Sequence, residues 1–118
     1  MNLLVTGASG FIAQNFIKYS IEKNIKITAI SRRKGKLSKK NLKWIVGKFN
    51  KIDLKKIGKF DVLIHFASEG TKTDERNNLK KNFQVNVFDS KELILKAIEN
   101  NCKKFMIISS SSEFGKIN

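Results

Sequence analysis

Leu3-Leu4-Val5-Thr6-Gly7-Ala8-Ser9-Gly10-Phe11-Ile12-Ala13 is the stretch on which the fold turns. An apolar run enters a pair of glycines spaced three apart, and a segment of helical periodicity follows at once. Read as strand, bend and helix, Gly7 lets the strand turn sharply, and Gly10 lets backbone approach a ligand with no side chain between them. Ala13 is small enough for the helix to pack closely on the strand. The amides of the helix's first turn, at the positive end of its dipole, would then form a seat for a pyrophosphate. The spacing is G-x-x-G-x-x-A rather than the commoner G-x-G-x-x-G. A plain glycine-containing turn is the competing reading, and the strand-before, helix-after context favours the phosphate seat.

Outward from this bend, apolar and polar segments alternate. Ile12, Phe16, Ile17 and Ile21 fall near the 3.6-residue period and predict a helix packed on a sheet, with Asn24 as its stop. Residues 26–30 read as a second strand that ends in Ser31-Arg32-Arg33, and residues 34–43 as a lysine-rich connection. Trp44-Ile45-Val46 reads as a short third strand, with Trp44 as a packing residue. A helical turn is expected over 52–57, with Asp53 near its start. Asp61 to Ser68 is apolar enough to be a fourth strand buried on both faces, as parallel strands are. A polar loop over 69–78 leads to a long helix reaching about Asn100. In that helix Leu79, Phe83, Val87, Ile94 and Ile98 form the main stripe, while Phe88 and Leu95 lie off it and are free to meet a partner. Residues 104–110 make a fifth strand running into serines.

Strands alternating with helices imply βαβ units with right-handed crossovers, an α/β doubly wound parallel sheet of about five strands in the order 3-2-1-4-5. Ligands of such sheets sit at the carboxyl ends of the strands, where the order reverses. The tips expected to face one cleft are 7–12, 31–33, 66–68 and 109–112.

Length and charge set bounds. With 118 residues the chain forms one domain, too small for separate cofactor and substrate lobes. No apolar run approaches the roughly 20 residues that span a bilayer. Met1 and Asn2 lead straight into the expected first strand, so no signal peptide is expected. The single cysteine, Cys102, excludes an internal disulfide and suits a reducing compartment, so a cytoplasmic location is expected. The sequence suggests no metal site. Lysine and arginine outnumber the acids 24 to 10, for a formal charge of +14. That balance would suit nucleic acid, yet the lysines are scattered through nearly every segment and no nucleic-acid motif accompanies them.

The motifs together resemble the extended short-chain dehydrogenase/reductase family, the NAD(P)-dependent nucleotide-sugar epimerases and dehydratases. Thr6-Gly7-Ala8-Ser9-Gly10-Phe11-Ile12-Ala13 matches its T-G-x-x-G-F-I-G opening, with alanine at the last glycine. Asp61 to Ser68 is similar to its D-V-V-I-H-L-A-A strand, Asn86-Val87 to its N-V-x-G-T, and residues 109–115 to its S-S-x-x-V-Y-G. All four occur in the family's order and spacing. The resemblance implies a Rossmann-type domain over residues 1–118, equivalent to the family's N-terminal portion. It implies that Ser9, Gly10, Phe11 and Ile12, after Gly7, hold a pyrophosphate, and that Phe66, Ala67 and Ser68 line the adenosine side. Asn86 would support the site through hydrogen bonds. Ser110 would be the catalytic Ser or Thr, with Ser111 in its place if the register slips by one. His65 is expected to be a satisfied core histidine.

Two departures bear on the cofactor. Where NAD-preferring members end the second strand in an acid, this chain has Ser31 followed by Arg32 and Arg33. An acid there would repel a 2′-phosphate and an arginine can pair with it, so NADP is the first choice and NAD the second. The family's G-D after the third strand is Gly47-Lys48 here. The resemblance also implies a Y-x-x-x-K acid/base pair some two dozen residues beyond the serines, outside this sequence. Tyr19 and Lys23 fit that spacing, but about 14 Å of helix separates Tyr19 from the phosphate bend. The chain is therefore expected to be an incomplete form of the family's enzymes, inactive alone, and to meet a nucleotide-sugar substrate only with a second half. A non-catalytic dinucleotide-binding or helix-pairing interaction module is the alternative role, and a homodimer through the long helix is the partner expected for it.

Overall fold

A computed structural model of the chain describes residues 1–70, 78–110 and 114–115. Five parallel strands form one sheet: β1 (Asn2–Thr6), β2 (Lys26–Ser31), β3 (Leu42–Val46), β4 (Val62–His65) and β5 (Lys104–Ile107). Their order is β3-β2-β1-β4-β5, the arrangement expected from the alternation of segments. Thr6 lies beside Ile30 on one side and His65 on the other, so the carboxyl ends of β2, β1 and β4 come level at the point where the order reverses.

Helix α1 (Phe11–Glu22) crosses from β1 to β2. It buries Ala13, Ile17, Ser20 and Ile21, with Phe16 packed beside them, against Leu3, Val5, Ile27, Ala29 and Ile64. Ile12 is not part of this stripe. It is 64% exposed, on the outer side of a first turn whose inner side is the buried Ala13. Asn24 ends the helix in the left-handed region at φ 59°, a conformation asparagine tolerates.

β3 begins two residues before Trp44. Trp44 packs over the preceding connection, its ring against Gly35 and its Nε1 donating to the Leu37 carbonyl at 2.9 Å. Two short 3₁₀ turns follow, Phe49–Lys51 and Leu54–Lys56, the second capped by Asp53, whose carboxylate accepts from the Lys55 amide at 3.0 Å. The opposite face of the sheet buries Leu4, Ile30 and Leu63 with Leu54, Phe60, Leu93, Ala97 and Cys102.

The long helix is one rod in three parts: α2 (Leu79–Phe83), a π-helical stretch (Gln84–Asp89) and α3 (Ser90–Glu99). Its buried side is Ser90, Leu93 and Ala97, with Ile94 packed beside them. Leu79, Phe83, Val87 and Ile98, expected to face the core, are exposed along with Phe88 and Leu95. A π turn takes more residues per turn than an α turn, so a 3.6 period carried across 84–89 loses its phase. β4 and β5 are also shorter than the apolar runs suggested. They stop where the chain leaves the ladder to form the tips of the site.

Candidate dinucleotide-binding site

The bend after β1 is held by backbone. Gly7 adopts φ 66°, and a Cβ placed on it would stand 2.5 Å from the Ala67 amide nitrogen. Only glycine allows the β1 tip and the chain leaving β4 to lie this close. The Gly10 amide donates to the Gly7 carbonyl at 3.0 Å, the Ala8 amide to the Ile30 carbonyl at 3.2 Å, and the Phe66 amide to the Thr6 carbonyl at 3.2 Å. The Gln14 side chain donates to the Ser9 carbonyl at 2.7 Å. Three strand ends are thereby locked around one bend.

Gly10 is the N-cap of α1. No side chain of the N-cap residue caps the helix and no acidic residue lies in its first turn, so nothing within that turn offsets the positive end of its dipole. Phe11 and Ile12 are exposed beside it. This seat fits a pyrophosphate: the approach is lined by glycine and the amide end of a helix carries no competing carboxylate.

At the β2 tip the Ser31 hydroxyl donates to the Arg33 carbonyl, and the Gly47 amide donates to the Ser31 carbonyl at 2.9 Å. Arg32 and Arg33 are exposed there, and so is Lys48 beyond β3. Arg32 is ion-paired: its Nη1 lies 3.7 Å from Oε1 of Glu69, whose Oε2 lies 3.3 Å from Lys81 Nζ. Glu69 follows Phe66, Ala67 and Ser68 at the β4 tip, and Asn86 clamps its main chain. The Glu69 amide donates to Asn86 Oδ1 at 2.9 Å, and Asn86 Nδ2 donates to the Glu69 carbonyl at 3.0 Å. Glu69 carried no sequence signal, because an acid in a polar loop reads as solvated surface.

Beneath the tips, His65 is buried between two hydroxyls, Thr6 Oγ1 2.6 Å from Nδ1 and Ser90 Oγ 2.8 Å from Nε2. Ser90 also donates to the Val85 carbonyl at 3.0 Å. With that proton committed, Ser90 accepts from Nε2–H and Nδ1 accepts from Thr6, which assigns the neutral Nε2–H tautomer. Burial lowers the His65 pKa from 6.5 to about 4. Phe49 lies edge-on to the imidazole at 4.9 Å. His65 is thus a core histidine that ties β1 and β4 to the π stretch, and Ser90 is the partner that periodicity missed.

Ser110 follows β5 at the same end of the sheet and is exposed, while Ser111 lies outside the described residues. Tyr19 is exposed on α1 with Lys23 Nζ 5.6 Å from its ring centre, a surface cation–π pair remote from the bend. A shallow cavity of about 410 Å³ lies at the opposite, amino end of the strands, beside Asn2, Lys26 and Phe60, away from these groups. Among the described residues, no helix is long and apolar enough to cross a membrane.

Known proteins share this fold. UDP-glucose 4-epimerase of Pisum sativum is 27% identical over 97% of this chain, which spans 38% of that protein's length. A structure of UDP-N-acetylglucosamine 4-epimerase from Methanobrevibacter ruminantium, in complex with UDP-N-acetylmuramic acid, is 30% identical with a TM-score of 0.84, covering 97% of this chain and 39% of its own. A structure of MoeE5 in complex with UDP-glucuronic acid and NAD shares the fold at 22% identity and a TM-score of 0.89, over all of this chain and 40% of its own. The chain therefore spans about two fifths of the length of these relatives. The profile of the NAD dependent epimerase/dehydratase family matches residues 3–118, and the chain belongs to that family.

Proposed function

We propose that the chain is the dinucleotide-binding part of an NAD(P)-dependent nucleotide-sugar epimerase, dehydratase or reductase. The observation that carries the reading is the uncapped start of α1 behind the Gly7 bend, level with the tips of β2 and β4. In this reading Gly7, Ser9, Gly10, Phe11 and Ile12 hold the pyrophosphate, and Phe66, Ala67 and Ser68 line the adenosine side. Arg32 and Arg33 meet the adenosine ribose, and their charge makes NADP the first choice and NAD the second. Asn86 positions the β4 tip through its two bonds to Glu69. Ser110, or Ser111, touches the substrate. When bound, the dinucleotide supplies hydride transfer; the residues named here bind it and orient it. Tyr19 is the chain's single tyrosine and sits on the outer face of α1. The 118 residues alone are therefore expected to turn over no nucleotide sugar, since loss of a general acid/base costs about 10²- to 10⁴-fold.

Calorimetric titration with NADPH and NADH tests the reading. Saturable binding of either is expected, and folded protein that binds neither at millimolar concentration overturns it. Arg32→Ala should weaken NADPH more than NADH; equal losses would mean that no 2′-phosphate is read there. The exposed Phe83, Phe88, Leu95 and Ile98 favour a second reading, a homodimer formed through the long helix, which a strict monomer in sedimentation would remove.

A further inference from the structure

We infer that Glu69 sets how strongly this site discriminates between dinucleotides with and without a 2′-phosphate. The inference rests on the dinucleotide-binding reading above. The end of β2 carries no acid of its own, yet an acid arrives there from β4: the Glu69 carboxylate bridges Arg32 at 3.7 Å and Lys81 at 3.3 Å. It is held in place. Its side chain is only 12% exposed, and Asn86 fixes its main chain at both the amide and the carbonyl. Arg32, by contrast, is 69% exposed, so its outer face is open to a ligand while one inner nitrogen points at the carboxylate.

Such a carboxylate has opposite consequences for the two cofactors. A 2′-phosphate carries up to two negative charges and must compete with Glu69 for the Arg32 guanidinium, against direct repulsion from the carboxylate. Ribose hydroxyls carry no charge and can donate to the carboxylate. Lys81 offsets part of the Glu69 charge without removing it. The arginine therefore favours NADPH, and Glu69 restrains that preference.

The test is a set of dissociation constants for NADPH and NADH with wild type, Glu69→Gln, Arg32→Ala and the double variant, at low and at 0.5 M salt. Glutamine keeps the size of the side chain and leaves the main-chain clamp untouched, and NADH binding by the variant reports that it is folded. Glu69→Gln should tighten NADPH relative to NADH by about two- to fivefold, the range of one partly exposed ion pair. The gain should fall by more than half in the Arg32→Ala background and shrink at high salt. An unchanged ratio overturns the inference, as does a gain that persists in full without Arg32, or loss of both cofactors on Glu69→Gln. Wild-type protein that binds neither cofactor overturns the dinucleotide reading itself, and the inference with it.

Discussion

Gly7 and Gly58 both have positive φ, 66° and 89°, yet they differ in what surrounds them. A Cβ at Gly58 meets nothing within 4 Å, whereas one at Gly7 would overlap the Ala67 and Phe66 backbone. Gly58→Ala should cost about 1 kcal/mol of left-handed strain. Gly7→Ala adds a backbone clash and should cost about 2–5 kcal/mol. Urea midpoints for the two variants check this, and equal losses would mean that the bend relaxes freely. His65 makes a second residue-level prediction. Its folded pKa of about 4 lies below the ordinary 6.5, so between those values the unfolded chain binds a proton that the folded chain does not. Stability from this group is complete above pH 6.5, falls as pH drops, and is gone below about 4. His65 is the only histidine, so urea unfolding at pH 7 and pH 5 should differ by about 2 kcal/mol on its account. A flat response would mean that the imidazole is solvated. The role of Gly7 was legible in sequence because the need for glycine is a backbone matter. The engagement of Arg32 by Glu69 was not, because it depends on how two loops from different strands fold over one another.

The π stretch 84–89 shows how an element can defeat a periodicity argument. Leu79, Phe83 and Val87 step at four-residue intervals and predict a core face, yet the face that packs is Ser90, Leu93 and Ala97. Ser90 bonds the carbonyl five residues back, at Val85, while accepting from His65 in the sheet. The register is thus set by a sheet contact that lies outside any helical window. Ser90→Ala would strand the buried Nε2–H of His65 and remove the part-buried bond to the Val85 carbonyl, a loss of about 1–3 kcal/mol. Amide exchange over 85–90 should quicken more than exchange over 93–99; uniform change along the rod would mean that Ser90 does not anchor the π turn. The strands were easier to read, since runs such as Leu63-Ile64 are apolar on both faces and need no phase. Their ends were overestimated for the same reason: β4 and β5 stop at His65 and Ile107, while the apolar run continues into the tips.

Across the whole molecule, charge and apolar exposure pull in opposite directions. The formal charge of +14 repels a second copy, while Phe83, Phe88, Leu95 and Ile98 on the rod and Met106 and Ile107 on β5 stand 46–59% exposed and favour contact. Salt separates the two forces, because it screens repulsion within about 10 Å at 0.1 M and leaves apolar association in place. Self-association of this chain should therefore strengthen as salt rises, whereas binding of a cationic protein to nucleic acid weakens with salt through counterion release. Sedimentation velocity at 50 mM and 500 mM salt should show a larger species only at the higher value. Phe83→Glu, which sets a charge on the exposed face without touching the buried one, should suppress it. A larger species that dissolves as salt rises would mean that bound polyanion rather than the apolar face holds it together. One that survives Phe83→Glu would move the contact from the rod to the edge of β5.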